Sequence, residues 1–285
     1  MLLALLLQAA PAPAPAWVRP PLPLADPALL ETSALALSPA HPGVLWSLND
    51  SDNPPVLFAT DTAGRALGQV ALPAARNDDW EALAFGPCPA AARGAAAPAC
   101  LYVGDIGDNS RVRPFVRLYR VREPAPGRDT VAGVLDSLRI TYADGPRDAE
   151  SLAVAADGTV WIVSKERVRD PRLYRIPAAA WRRGRAVAQF VTTLPIPSAS
   201  GVEHWTTDAA WGADGALMVR TYGALWRVPF AHGRPEAAAT RVVCSLAGLG
   251  GQGEGLAWLG GDLYALSSEK VFTFPASVAL ARCAG

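Results

Sequence analysis

The chain carries no excess of either charge: 26 Lys and Arg are matched by 26 Asp and Glu over 285 residues. Such a balance provides no broad basic field, so neither a nucleic acid nor an anionic membrane is expected as a partner. Nor is there a membrane span, since the apolar run in residues 1–7 is far too short to cross a bilayer. No Cys-x-x-Cys pair occurs, which argues against a zinc or redox centre. A Gly-x-Ser-x-Gly elbow is also missing, which argues against a serine esterase. No Lys or Arg precedes the N-terminal apolar run, which argues against export, and no Cys directly follows the expected cleavage site, so a lipid anchor is not indicated.

What the chain does have is a repeat. The run Asp79-Trp80-Glu81-Ala82-Leu83-Ala84-Phe85 is echoed at residues 33–37, 150–154, 207–211 and 254–258. After each copy, turn residues lead to a second apolar run at 44–46, 101–103, 160–163, 217–219 or 263–266. A third follows at 56–58, 117–121, 172–176, 224–228 or 271–274, and four copies add a fourth, as at 67–72 and 138–142. Short β-branched and aromatic runs punctuated by Gly, Pro and Asp read as strands. Four strands per unit, recurring every ~40–70 residues, predict an all-β chain folded as a five-bladed β-propeller. The last unit lacks a fourth strand, and residues 18–24 offer one, so the ring is expected to close through the N-terminal strand. A six-bladed ring with a degenerate blade between Arg122 and Asp136 is the alternative.

Residues 1–16 read as a signal peptide, with Ala14-Pro15-Ala16 as the small-residue cleavage pattern, leaving 17–285 as one propeller domain. Four cysteines agree with a secreted or periplasmic location. Cys88 and Cys100 bracket an Ala/Pro/Gly-rich excursion that a disulfide would staple, and Cys244 could pair with Cys283 near the closure point, although four cysteines allow three pairings. A monomer is expected.

The residues leading the five copies are Ser33, Glu81, Glu150, Thr207 and Glu254. In a ring they converge on one axis. Facing carboxylates disfavour each other's ionisation unless a cation lies between them, and an all-oxygen set in a roomy channel suits calcium. Carboxylates capping the strands, or binding Arg and water in a wet channel, is the alternative. This order of hydroxyl, two glutamates, hydroxyl and glutamate resembles the axial calcium site of the calcium-activated nucleotidases, five-bladed propellers of apyrase type. The chain also resembles secreted bacterial propeller proteins in Asp79-Trp80-Glu81 and in Gly104-Asp105-Ile106-Gly107-Asp108-Asn109.

Loops expected at the same end are polar, with carboxylates on the first two blades and basic residues on the third and fourth. Asp50, Asp105, Asp108 and His204 are the candidate catalytic residues, as water-orienting carboxylates and a general base. Trp80, Asp148, Lys165, Arg167, Arg220 and Tyr222 are the candidate ligand-binding residues, with Lys165, Arg167 and Arg220 meeting an anionic group. Asp105, Asp108 and Asn109 suit either calcium ligation or Asx-turns that tighten a loop. The expected function is an extracytoplasmic propeller with axial calcium that binds a small-molecule or protein ligand at this end. The alternative, which the resemblance implies, is calcium-dependent hydrolysis of phosphorylated small molecules, as by a nucleotidase or a phytase.

Overall fold

The computed structural model describes residues 13–89, 99–212, 214–247 and 251–283. Most of the expected leader and most of the excursion between Cys88 and Cys100 lie outside these residues.

Each repeat folds as a short antiparallel sheet, because its runs are separated by turns too short for a crossover. The first strand, β1 (Ala16–Pro23), pairs with the last one of the chain and not with its sequence neighbour. The first sheet is β2 (Thr32–Leu37), β3 (Val44–Asn49), β4 (Val56–Asp61) and β5 (Ala66–Ala71). The second is β6 (Trp80–Pro87), β7 (Ala99–Asp105), β8 (Val116–Arg122) and, beyond the short β9 (Thr130–Val131), β10 (Val134–Tyr142). The third is β11 (Ala149–Val154), β12 (Val160–Ser164), β13 (Arg172–Ile176) and β14 (Arg185–Thr193). The fourth is β15 (Thr206–Trp211), β16 (Leu217–Thr221), β17 (Ala224–Val228) and, after the small hairpin β18 (Phe230–Ala231) and β19 (Arg234–Pro235), β20 (Arg241–Ser245). The fifth is β21 (Gln252–Gly260), β22 (Leu263–Glu269), β23 (Ser277–Arg282) and β1.

Three details depart from the sequence reading. Residues 271–274 are not a strand of the fifth sheet. They form a tight turn with one bridge, Val271 to Phe274, in which Phe272 takes φ 50° and is 93% exposed. Its aromatic, β-branched composition mimics a strand, but the third strand is β23. The segment between Arg122 and Asp136 holds β9, which pairs parallel to β5 at the outer edge of the first sheet and is no blade of its own. The outer strands β10 and β14 also pair in parallel, so the second and third sheets share one eight-stranded ladder. Two outer edges are thereby removed as templates for pairing with other chains.

The core is not one mass but a set of seams between sheets. Trp46, Trp80 and Leu83 join the first to the second, Tyr102, Ile162 and Tyr174 the second to the third, and Trp161, Val219 and Trp226 the third to the fourth. Leu225, Leu256 and Leu266 join the fourth to the fifth, and Leu35, Ala257 and Val278 the fifth back to the first. Innermost strands pack in the same cyclic order, β2 on β6, β6 on β11, β11 on β15, β15 on β21 and β21 on β2. Gly255 permits the last approach, since a Cβ there would lie 2.4 Å from Ser267 Oγ and 2.8 Å from the Ala34 carbonyl carbon.

A buried carboxylate ties the innermost strands together. Asp208 on β15 accepts the N–H of its neighbour Ala209 (2.8 Å), of Leu256 on β21 (2.6 Å) and of Leu35 on β2 (3.4 Å). Disulfides Cys88–Cys100 and Cys244–Cys283 complete the frame, with Cα separations of 5.0 and 5.3 Å. The second links the outer strand of the fourth sheet to the residue after β23. Asp208→Ala leaves three buried N–H groups short of an acceptor, and urea unfolding is expected to show a loss of ~3 kcal/mol or more. A loss below ~0.5 kcal/mol, the range of ordinary surface substitutions, would show that the tie is dispensable.

Candidate functional site

The five leading residues share a backbone device. In every sheet the register between the innermost strand and the next one slips at the leading residue: at Ser33 between Thr32 and Ala34, at Glu81 between Trp80 and Ala82, and at Glu150 between Ala149 and Ser151. Thr207 sits at the slip between Thr206 and Asp208, and Glu254 with Gly255 at the slip between Gly253 and Leu256. An extra residue in one strand leaves its side chain out of the ladder and re-aims it. Repetition signalled these five residues in the sequence; the bulges were invisible there.

Burial raises the pKa of Glu81, Glu150 and Glu254, and mutual repulsion adds to the rise for Glu81 and Glu150. The cation among them comes from the chain itself. Lys165 Nζ pairs with Glu150 Oε1 and also donates to the Tyr222 hydroxyl (3.1 Å), which in turn donates to Glu254 Oε1 (3.0 Å). Gln252 Nε2 donates to the same Glu254 oxygen (2.8 Å). Burial alone would lower the Lys165 pKa, but Glu150 and Glu254 outweigh it and hold the ammonium charged. Lys165 was expected to meet a ligand; it stands instead as counter-charge to the hub. One oxygen each of Glu150 and Glu254 is thereby engaged by protein groups, while Glu150 Oε2 and Thr207 Oγ1 are buried and find no partner among the described residues.

Room for a metal lies to one side of the axis. Asp50, Asp79 and Glu81 each offer a carboxylate oxygen, and the three oxygens lie within 4.8 Å of one another. Glu81 is only 5% exposed and has no hydrogen-bond or ion-pair partner among the described residues. Burial and the Asp50 and Asp148 carboxylates push the Asp79 pKa up to about 7. Glu269, half-buried near Glu254 and Asp50, is pushed up to about 8 by burial and those charges. Three hard oxygen donors suit calcium. Asp79 was not singled out as a ligand from sequence, because its approach to Asp50 on another sheet depends on how the sheets pack.

The remaining candidates have other surroundings. Asp105 accepts the Asp79 N–H (2.9 Å) and Arg113 Nη2 (2.9 Å), while Asp108 accepts the N–H groups of Val112 and Arg113 (2.9 and 3.0 Å). Asp108 thus tightens its loop through both oxygens, whereas Asp105 uses only Oδ1 and its buried Oδ2 finds no partner among the described residues. Asp148 likewise accepts the Asp108 N–H at 3.0 Å. Trp80 is fully buried in the seam, with its indole N–H on the Arg76 carbonyl (2.8 Å), so it presents no face to a ligand. Arg220 is fully buried as well and turns away from the mouth, its Nη1 donating to the carbonyls of Gly255 and Ser267 (2.5 and 2.6 Å). Burial lowers its pKa to about 10. His204 stands 3.5 Å from Glu203 and its Nδ1 finds no partner among the described residues. Only Arg167 is an exposed cation of the expected set; its guanidinium lies 5.2 Å from the Trp205 ring centroid.

This architecture is that of an all-β propeller. The fold is similar to that of the PQQ-bound aldose sugar dehydrogenase from Streptomyces coelicolor, with a TM-score of 0.56 and 13% identity over 96% of this chain and 99% of that one. A gluconolactonase from Xanthomonas campestris aligns with a TM-score of 0.47 and 13% identity over 97% and 99% of the two chains. A catalytically inactive virginiamycin B lyase from Staphylococcus aureus aligns with 0.48 and 8% over 94% and 99%. No family model and no curated protein matches the chain. The likeness supports a propeller and adds nothing to the nucleotidase resemblance.

Raised carboxylates make stability depend on pH in a definite direction. Asp79 and Glu269 bind protons more tightly folded than unfolded, so without metal the folded state loses stability as pH rises from the ordinary carboxylate range towards about 8. Asp214, held below its ordinary value by Arg227, finishes titrating beneath that window and does not oppose the trend. The melting temperature in EDTA should therefore fall between pH ~5 and ~8. A flat or rising profile would contradict this account of the hub.

Proposed function

We propose that this chain is an extracytoplasmic five-bladed propeller, closed by its N-terminal strand, that binds calcium at Asp50, Asp79 and Glu81 and a small-molecule or protein ligand beside it. The observation that carries this reading is the convergence of the three carboxylate oxygens, with Glu81 buried and unpartnered among the described residues. Five seams running in cyclic order and the pairing of β1 with β23 support the ring and its closure. Two disulfides fit an oxidising compartment, and no helix among the described residues is long and apolar enough to cross a membrane. Removal of residues 1–16 as a signal peptide and a monomeric state belong to the same reading.

When bound, calcium supplies a fixed positive charge that holds an anionic or carbonyl oxygen of a ligand at the mouth. The chain's own residues do the rest. Lys165 pairs with one oxygen of Glu150, Tyr222 and Gln252 hold Glu254, and Arg167 on Trp205 offers the exposed guanidinium. Binding is favoured over hydrolysis because both oxygens of Asp108, a carboxylate expected to orient water, are occupied by the N–H groups of Val112 and Arg113.

Calorimetric titration of EDTA-stripped protein should show one calcium site. Glu81→Gln or Asp79→Asn should weaken it by about 100-fold, a loss of ~2.7 kcal/mol. Absence of both heat and thermal shift at millimolar calcium would overturn the metal assignment. A phosphate-release screen over nucleotides, sugar phosphates and phytate should stay blank with and without calcium. Release that Glu81→Gln abolishes would replace the binding module with a hydrolase.

A further inference from the structure

A second recess lies between the third and fourth sheets, at the opposite end of the innermost strands from the hub. Glu150 is near the start of β11, whereas the turn at residues 155–159 that borders this recess follows its end, and β11 spans ~20 Å. The recess has two lobes. One, of about 650 Å³, is lined by Gln189, Phe190, Thr192 and Arg234; the other, of about 670 Å³, is lined by Asp157, Thr159, Trp211 and Phe230. Both lobes share Trp161, Arg175, His232 and Gly233, so they are the two halves of one groove with Arg175 at its middle. Each lobe lies within the ~300–1,000 Å³ range of small-molecule pockets.

The wall of this groove is aromatic and braced. Phe230 sits edge-on to both Trp161 and Trp211 with ring centroids 5.0 Å away in each case. The β18–β19 hairpin overhangs the groove through a two-residue turn, His232 at φ 51° and Gly233 at φ 72°. Two left-handed residues make the tight primed turn, and a histidine holds one of these places where Asn or Gly is cheaper. That turn places the exposed His232 in the lining of both lobes, as Arg175 is.

The charges in the groove are unequal in their commitments. Asp157 accepts the N–H and hydroxyl of Thr159 (2.8 and 3.0 Å), and Asp214 is paired with Arg227. Arg175 and Arg234 have neither an ion pair nor a side-chain hydrogen bond among the described residues. Two guanidiniums without a partner among the described residues thus stand against one carboxylate held by neutral donors, which leaves the groove net positive. A guanidinium offers a planar fork suited to a carboxylate, aromatic walls suit the C–H faces of a ring, and Gln189 and Thr192 suit hydroxyls.

We propose that this groove binds an acidic oligosaccharide, with a uronate carboxylate on Arg175 and flanking rings in the two lobes. The site is separate from the hub and does not depend on the calcium assignment. Titration of the full chain with trigalacturonate, followed by calorimetry in EDTA so that no calcium held by the sugar takes part, should show binding that weakens with added salt. Arg175→Gln should weaken it by about tenfold or more while leaving the melting temperature and the calcium response unchanged. Arg175→Lys should recover only part, because an ammonium lacks the fork. Maltotriose, similar in size and neutral, should not bind. No binding of trigalacturonate, equal binding of maltotriose, or an Arg175→Gln variant of unchanged affinity would each overturn the proposal.

Discussion

The structure turns on a bulge repeated at one level of every innermost strand. Without the extra residue, Ser33, Glu81, Glu150, Thr207 and Glu254 would follow the ordinary alternation of a strand, whose other positions are taken up by apolar seams. The bulge lifts one polar residue per sheet out of that alternation. Buried carboxylates then need compensation, because each unpaired charge inside a protein shifts towards neutrality. Lys165 answers for one oxygen of Glu150, Tyr222 and Gln252 for Glu254, and Glu81, beside Asp50 and Asp79, has no hydrogen-bond or ion-pair partner among the described residues. The asymmetry of the hub comes from the second layer of residues and not from the repeat.

The same innermost strands are apolar away from the bulge. At their other end the channel narrows to a recess of about 190 Å³ among Leu37, Phe85, Val154, Trp211 and Trp258. Between the two ends, Asp208 accepts N–H groups from β2 and β21 as well as from its own strand. Burial raises the pKa of this carboxyl although three donors favour its charge. Polar mouth, hydrogen-bonded waist and apolar base thus follow one another along strands of only six to nine residues.

Edges and termini are managed by different means. Parallel pairing of β10 with β14 and of β5 with β9 covers outer strands that would otherwise be open. β1 is rich in proline at positions 20, 21 and 23, which limits pairing along its free side. Arg19 anchors it to the Thr62 carbonyl at 2.7 Å. Gly64 at φ 81° lets the first sheet approach β1 closely, since a Cβ there would meet the Pro23 carbonyl oxygen at 2.6 Å. Cys244–Cys283 fixes the neighbouring sheet boundary covalently.

Local pattern by itself determined the strand runs, the five leading residues and the all-β propeller class, because alternation and turn residues act over a few positions. It failed where composition and geometry part company. Residues 271–274 look like a strand yet turn at Phe272, and Trp80 and Arg220 look like surface ligands yet are buried. Which carboxylates and which guanidiniums end without a partner among the described residues, and which cation stands beside Glu150, were decided only by the tertiary structure. Those outcomes depend on contacts between sheets tens of residues apart, such as Lys165 with Tyr222 and Asp50 with Asp79, and no local rule specifies the distance between two such groups.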